Sequence, residues 1–114
     1  KYVALLCSSL NDKVDQNPPN MFKNPGETAK IRCLHRINSY YVILWYKQLK
    51  NRQLQLLGYM STTTENKEKG LDEDVTIEGD ANEGQNCTLT INSLSVSSSA
   101  VYFCAASYHS ATYH

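Results

Sequence analysis

No stretch of this chain approaches the roughly 20 consecutive apolar residues needed to cross a bilayer, so no spanning helix is read from it. Charge of one sign is also missing. The 11 basic and 11 acidic residues cancel and are spread along the 114 positions. That leaves no basic face for nucleic acid and no basic amphipathic helix for direct membrane contact. His35, His109 and His114 stand at no metal-binding spacing, and Cys33-Leu34-His35 finds no further ligands. Asp72-Glu73-Asp74 reads as a solvated loop. Neither a Gly-rich phosphate loop nor a nucleophile elbow is present. No catalytic residue, metal or cofactor is expected. Repeats, low-complexity linkers and long helical periodicity are absent too, and the length supports one domain.

What remains is a series of short strands between turn formers, the pattern of an all-β domain. Asn17-Pro18-Pro19 and Asn24-Pro25-Gly26-Glu27 are turns flanking a first strand. Thr28–Cys33 alternates so that Ala29, Ile31 and Cys33 share one face. Val42–Gln48 and Leu54–Met60 form strands around the polar hairpin turn Lys50–Gln53, and Ser61–Asp74 reads as a loop with short edge strands. Val75-Thr76-Ile77 precedes the turn at Gly79–Gly84, and Cys87, Leu89 and Ile91 then alternate with Thr88 and Thr90. A serine-rich corner, Ser95–Ser99, leads into the last strand. At the other end, residues 1–9 read as the tail of a signal peptide, an apolar run followed by small residues suited to cleavage. The alternative is an ordinary first strand.

Cys33 and Cys104 lie 71 residues apart, Trp45 follows the first by 12, and Tyr102 sits two before the second. This Cys…Trp…Tyr-x-Cys frame resembles the core signature of an immunoglobulin sandwich. The spacing leaves room for the extra strand pair of the variable type. The resemblance implies a V-type β-sandwich with Greek-key topology. It also implies a Cys33–Cys104 disulfide between the sheets, Trp45 packed on it and Tyr102 closing a corner, with Leu89 and Ile91 in the core. Such a bridge contributes roughly 4 kcal/mol by closing a long loop and needs an oxidising compartment.

The flanking residues resemble an antigen-receptor variable domain, most closely a T-cell receptor variable segment. The resemblance runs from about Val14 to Ser107. It is carried by Gln16-Asn17-Pro18, Gly26, Trp45-Tyr46-Lys47-Gln48, Leu54-Gln55-Leu56-Leu57, Leu89-Thr90-Ile91 and Ala100-Val101-Tyr102-Phe103-Cys104-Ala105-Ala106-Ser107. Leu54–Leu57 and the Glu65-Asn66 loop favour a β chain. If Trp45 and Cys104 point inward, alternation turns Tyr46, Gln48 and Phe103 outward, with Leu56 as the fourth member of an interface patch. In the family that face meets the partner chain's variable domain. Ile37, Asn38, Ser39, Tyr40 and Tyr41 would form the first recognition loop, with tyrosines for area and Asn and Ser for adaptable hydrogen bonds. Met60, Ser61, Thr62, Thr63, Thr64, Glu65 and Asn66 would form the second, and Ala105, Ala106 and Ser107 begin the third. The implied ligand is peptide held by an MHC molecule. The implied place is the extracellular side of the plasma membrane, with anchorage through a constant region and signalling subunits in the full receptor. Another variable-type immune or adhesion receptor is the alternative, and an enzyme the remote one.

Two departures from the family pattern stand out. The usual Asp before the Tyr-x-Cys strand is Ser98, and no Arg precedes Val75, so both halves of an ion pair are missing together. Hydroxyl hydrogen bonds are expected to close the corner instead. No Phe-Gly-x-Gly strand follows Cys104 within these 114 residues. The expected organisation is therefore a leader remnant at 1–10, a variable domain at 11–107 and a germline tail at 108–114. The domain would lack its final, joining-segment strand and expose an unpaired edge. Cys87 is expected to be a buried free thiol, Cys7 to leave with the leader, and Asn86-Cys87-Thr88 matches the N-glycosylation acceptor. His109-Ser110-Ala111 is what an in-frame recombination heptamer encodes, with an ordinary loop end as the alternative. The codons at these three positions are expected to read CAC-AGT-G, and sequencing the gene checks this; any other codons end the germline-tail reading.

Overall fold

The computed structural model describes residues 2–9, 13–71 and 74–108. Among them are ten strands in two sheets. The first sheet runs, edge to edge, β3 (Asn20–Lys23), β1 (Val3–Ser9), β10 (Ala100–Ser107), β5 (Val42–Gln48), β6 (Leu54–Ser61) and β7 (Thr64–Lys67). The second runs β2 (Val14–Asn17), β4 (Ala29–His35), β9 (Cys87–Asn92) and β8 (Asp74–Gly79). The chain is a V-type sandwich. Lys1, Leu10, Asn11, Asp12, Asp72, Glu73 and the expected tail from His109 onward lie outside the described residues.

Alternation builds the core. Ala29, Ile31 and Cys33 of β4 face Cys87, Leu89 and Ile91 of β9 in register, and all six are fully buried. Ile43 and Trp45 of β5 and Tyr102 and Cys104 of β10 close over them from the other sheet. Cys33 and Cys104 are bonded between the sheets, with their Cα atoms 6.5 Å apart. Each fully buried aliphatic side chain contributes about 1.5–3 kcal/mol by leaving water. The bridge adds to that by limiting the unfolded chain.

β6 gains inward surface through a bulge. Trp45 pairs with Gly58 but Tyr46 pairs with Leu56, so Leu57 is an extra residue and drops fully into the core. Gly58 is required there. A Cβ would lie 2.6 Å from the Asn66 carbonyl and 2.9 Å from Ile77 Cδ1.

Residues of the expected leader remnant form β1. Val3 and Leu5 are fully buried, and the strand pairs in parallel with β10 and antiparallel with β3. β10 is thus flanked on both sides, not left as the expected unpaired edge; β3 and β7 are the sheet edges. Gln16 joins the two sheets at this point. Its amide Nε2 donates to the Tyr102 carbonyl at 3.0 Å, and its Oε1 accepts from the Cys104 N–H at 3.1 Å.

The corner before β10 is closed without charge. Ser95 N–H donates to Ser98 Oγ at 3.1 Å in a capping box around the short turn Val96–Ser98. The Tyr102 hydroxyl donates to the Ser98 carbonyl at 2.7 Å. Ser98 itself is buried, and a carboxylate there without a cation would be costly. Thr90, placed by alternation on the outer face, is nonetheless covered, and its hydroxyl lacks a hydrogen-bond partner among the described residues.

Cys87 is a buried free thiol opposite Cys33, with its Sγ 4.0 Å from Met60 Sδ. The buried Trp45 indole N–H makes no well-formed hydrogen bond, and its influence on Cys87 is to favour the thiolate. Burial pushes this thiol from its usual 9.0 up to about 12, slightly offset by Trp45 and reinforced by the Asp80 carboxylate. The unfolded chain ionises near the usual value while the folded one stays protonated. Stability from this group is therefore intact below about pH 9 and lost as pH rises toward 12. By pH 11 the loss is about 3 kcal/mol. Urea melts across this range are expected to show that loss in the parent and not in Cys87→Ala, with the ionisations of other groups common to both.

Candidate functional site

Two surfaces stand out on this frame. The first is the outer face of the larger sheet. Inward Trp45 and Cys104 force Tyr46 and Phe103 outward, and the register sets Phe103 opposite Tyr46 and Tyr46 opposite Leu56. The three form one row across β10, β5 and β6, each half-buried. Gln48 lies two residues along β5, opposite Leu54, which is 43 % exposed. Sequence reasoning missed Leu54, although its period-2 spacing from Leu56 would have found it. A contiguous apolar row with a polar amide at its side has the composition of an interface core.

The second surface is one end of the sandwich, held by a relay of backbone bonds. Tyr41 N–H donates to Ser107 O at 3.0 Å, Thr62 N–H to Tyr41 O at 2.8 Å and Ala81 N–H to Thr62 O at 2.7 Å. The loop of residues 80–86 therefore sits beside the first and second loops. The Gly79–Gly84 turn was visible in the sequence, but its neighbours were not, because they arise from sheet register. His35 is the buried hub. Its Nε2 donates to Ala81 O at 2.7 Å, which leaves Nδ1 to accept from Ile37 N–H at 3.2 Å, and its own carbonyl accepts from Gly84 N–H at 2.9 Å.

The structure sorts the expected loop residues. Asn38, Ser39 and Tyr41 are exposed, whereas Ile37 and Tyr40 pack against the core. Ser39 takes a φ of 73° and Thr62 one of 53°, both left-handed turn positions. Met60 is 2 % exposed, facing inward on β6 opposite Ile43, so it supports the second loop from below. Ser61 is half-buried, and Thr62, Thr63, Thr64, Glu65 and Asn66 are exposed at the tip. Glu65 Oε2 accepts from Ile77 N–H at 2.7 Å and ties β7 to β8. Ala105, Ala106 and Ser107 belong to β10, paired with Leu44, Ile43 and Val42, and the last two are buried. Tyr108, with its ring 5.6 Å from that of Tyr40, is the first exposed residue beyond them. Among the described residues no three metal-ligating side chains converge.

This combination of a two-sheet frame, a flat apolar face and clustered end loops defines a variable-type receptor domain. The chain matches the family model described as Immunoglobulin V-set domain over residues 16–114, and it belongs to that family. Within the family it is a T-cell receptor variable segment. It is 31% identical over 94 residues to human T cell receptor beta variable 7-2, covering 82% of this chain and 80% of that protein. It is 29% identical over 106 residues to human T cell receptor beta variable 2, covering 91% and 90%. Against mouse T-cell receptor beta chain V region C5 it is 31% identical over 104 residues, covering 90% and 83%.

Replacing His35 by Ala strips two backbone groups of their partners and opens a hole under the end loops. The expected cost is about 2–4 kcal/mol. Thermal unfolding reads that loss, and amide exchange is expected to accelerate first at Ile37 and Gly84.

Proposed function

We propose that this chain is the antigen-recognition variable domain of a T-cell receptor β chain. It pairs through Tyr46, Gln48, Leu56 and Phe103 with a partner receptor chain's variable domain. It binds peptide held by an MHC molecule through Asn38–Tyr41, Ser61–Asn66 and the loop beginning at Tyr108. It works on the extracellular side of the plasma membrane, anchored by a constant region and coupled to signalling subunits in the full receptor. The observation that carries this reading is the outward Phe103–Tyr46–Leu56 row, a half-buried apolar strip across three strands with Gln48 beside it. Residues 1–10 are read as leader. Their removal vacates the position between β3 and β10, which a joining-segment strand then fills.

The test uses the chain joined to a joining segment and constant region and co-expressed with a partner receptor chain. Tyr46→Asp or Phe103→Asp is expected to lower surface heterodimer at least tenfold, the loss expected when a charge enters an interface core. Thr63→Ala is expected to leave pairing intact and weaken binding of peptide–MHC multimers. Unchanged pairing in both Asp variants overturns the interface. The mature chain is expected to begin after Leu10, and retention of Val3–Ser9 on N-terminal sequencing overturns the leader assignment.

A further inference from the structure

Neither pairing nor loop recognition uses Asn86-Cys87-Thr88. The motif is the acceptor pattern for an N-linked oligosaccharide. Asn86 is exposed and ends the 80–86 loop, one residue before β9 begins. Because Cys87 is fully buried and points into the core, Asn86 points away from it, on the outer side of the β2-β4-β9-β8 sheet. That is the side opposite the pairing face. The Asn86 backbone is committed, its carbonyl accepting from Asp80 N–H at 3.0 Å. Its side chain is exposed to solvent. Cys87 remains a free thiol, so no disulfide ties down the middle of the acceptor triplet.

We propose that Asn86 carries an N-linked oligosaccharide at the flank of the recognition end. The reaction takes place on the emerging chain. In the folded domain β9 lies between β4 and β8 with Cys87 inaccessible, which withholds the triplet from an enzyme. The Asn86 amide nitrogen bonds to the anomeric carbon of a lipid-pyrophosphate-linked oligosaccharide. The sugar–phosphate bond breaks, the lipid pyrophosphate leaves, and the amide loses one proton. Once β9 pairs, the glycan stands beside the 80–86 loop, whose Ala81 is bonded to Thr62 of the second loop. It covers lateral approach across the β4–β9 face and leaves the pairing face open.

The inference rests on the extracellular reading, so the experiment separates the two. The gene product with its own leader is translated with microsomes, then treated with protease or with an N-glycosidase. A protease-protected chain whose glycosidase-sensitive upshift disappears in Asn86→Gln and Thr88→Ala, and persists in Thr88→Ser and Cys87→Ala, supports the site. A protected chain with no upshift overturns the glycan alone. A chain that is never protected overturns the extracellular reading and the glycan with it. Since transfer precedes folding, impaired folding of a variant does not obscure the readout.

Discussion

The Cys33–Cys104 bridge and the Trp45 ring packed with it set the direction of every other side chain on the central strands. Side chains alternate strictly along a strand, so pinning Cys104 inward turns Phe103 outward, and burying Trp45 turns Tyr46 outward. A one-residue slip of β10 against β5 would put Phe103 in the core and Cys104 in water, breaking the covalent link. The outward apolar row is therefore a consequence of the core. It holds its position because the core cannot slide.

The frame was legible in the sequence because its parts are local. Strand boundaries for β5, the alternation of β4 and β9, and the outward set Tyr46, Gln48 and Phe103 follow from period-2 spacing and a few turn residues. Features that depend on register were not legible. Leu57 looks like one more residue in Leu54–Leu57, and only pairing with β5 reveals that it is a bulge. Met60 was counted with the second loop because polar residues follow it, yet it is the last inward position of β6. Ala106 and Ser107 looked like the start of a loop, but the ladder with β5 continues through them.

Position β1 illustrates how a sheet meets an unpaired edge. Val3 and Leu5 alternate with Ala4 and Leu6, and this short pattern suffices to fill the gap between β3 and β10. The same apolar run that reads as leader has the composition of a buried strand. Hydrophobicity serves membrane translocation and core packing alike, so composition alone does not separate them. β1 runs parallel to β10, where the other strand pairs of the described residues are antiparallel, and it is laddered to β3 on its other side. Gln16, by contrast, anchors to specific backbone atoms of Tyr102 and Cys104 and fixes the register of β2 beneath β10.

The two ends of the sandwich solve the same problem with different chemistry. At the serine corner the missing ion pair leaves no stranded charge, and the backbone groups near Tyr102 are satisfied by Ser98 and by the tyrosine hydroxyl. Neutral hydrogen bonds are weaker than a buried ion pair but carry no large desolvation cost, so the corner tolerates the exchange. At the end that carries His35 a single imidazole satisfies backbone groups on both sides of it, and the relay from Ser107 through Tyr41 and Thr62 to Ala81 uses main-chain atoms alone. Main-chain bonds constrain loop position without constraining side-chain identity. Exposed Asn38, Ser39, Thr63 and Thr64 can thus vary in chemistry while their Cα positions stay fixed.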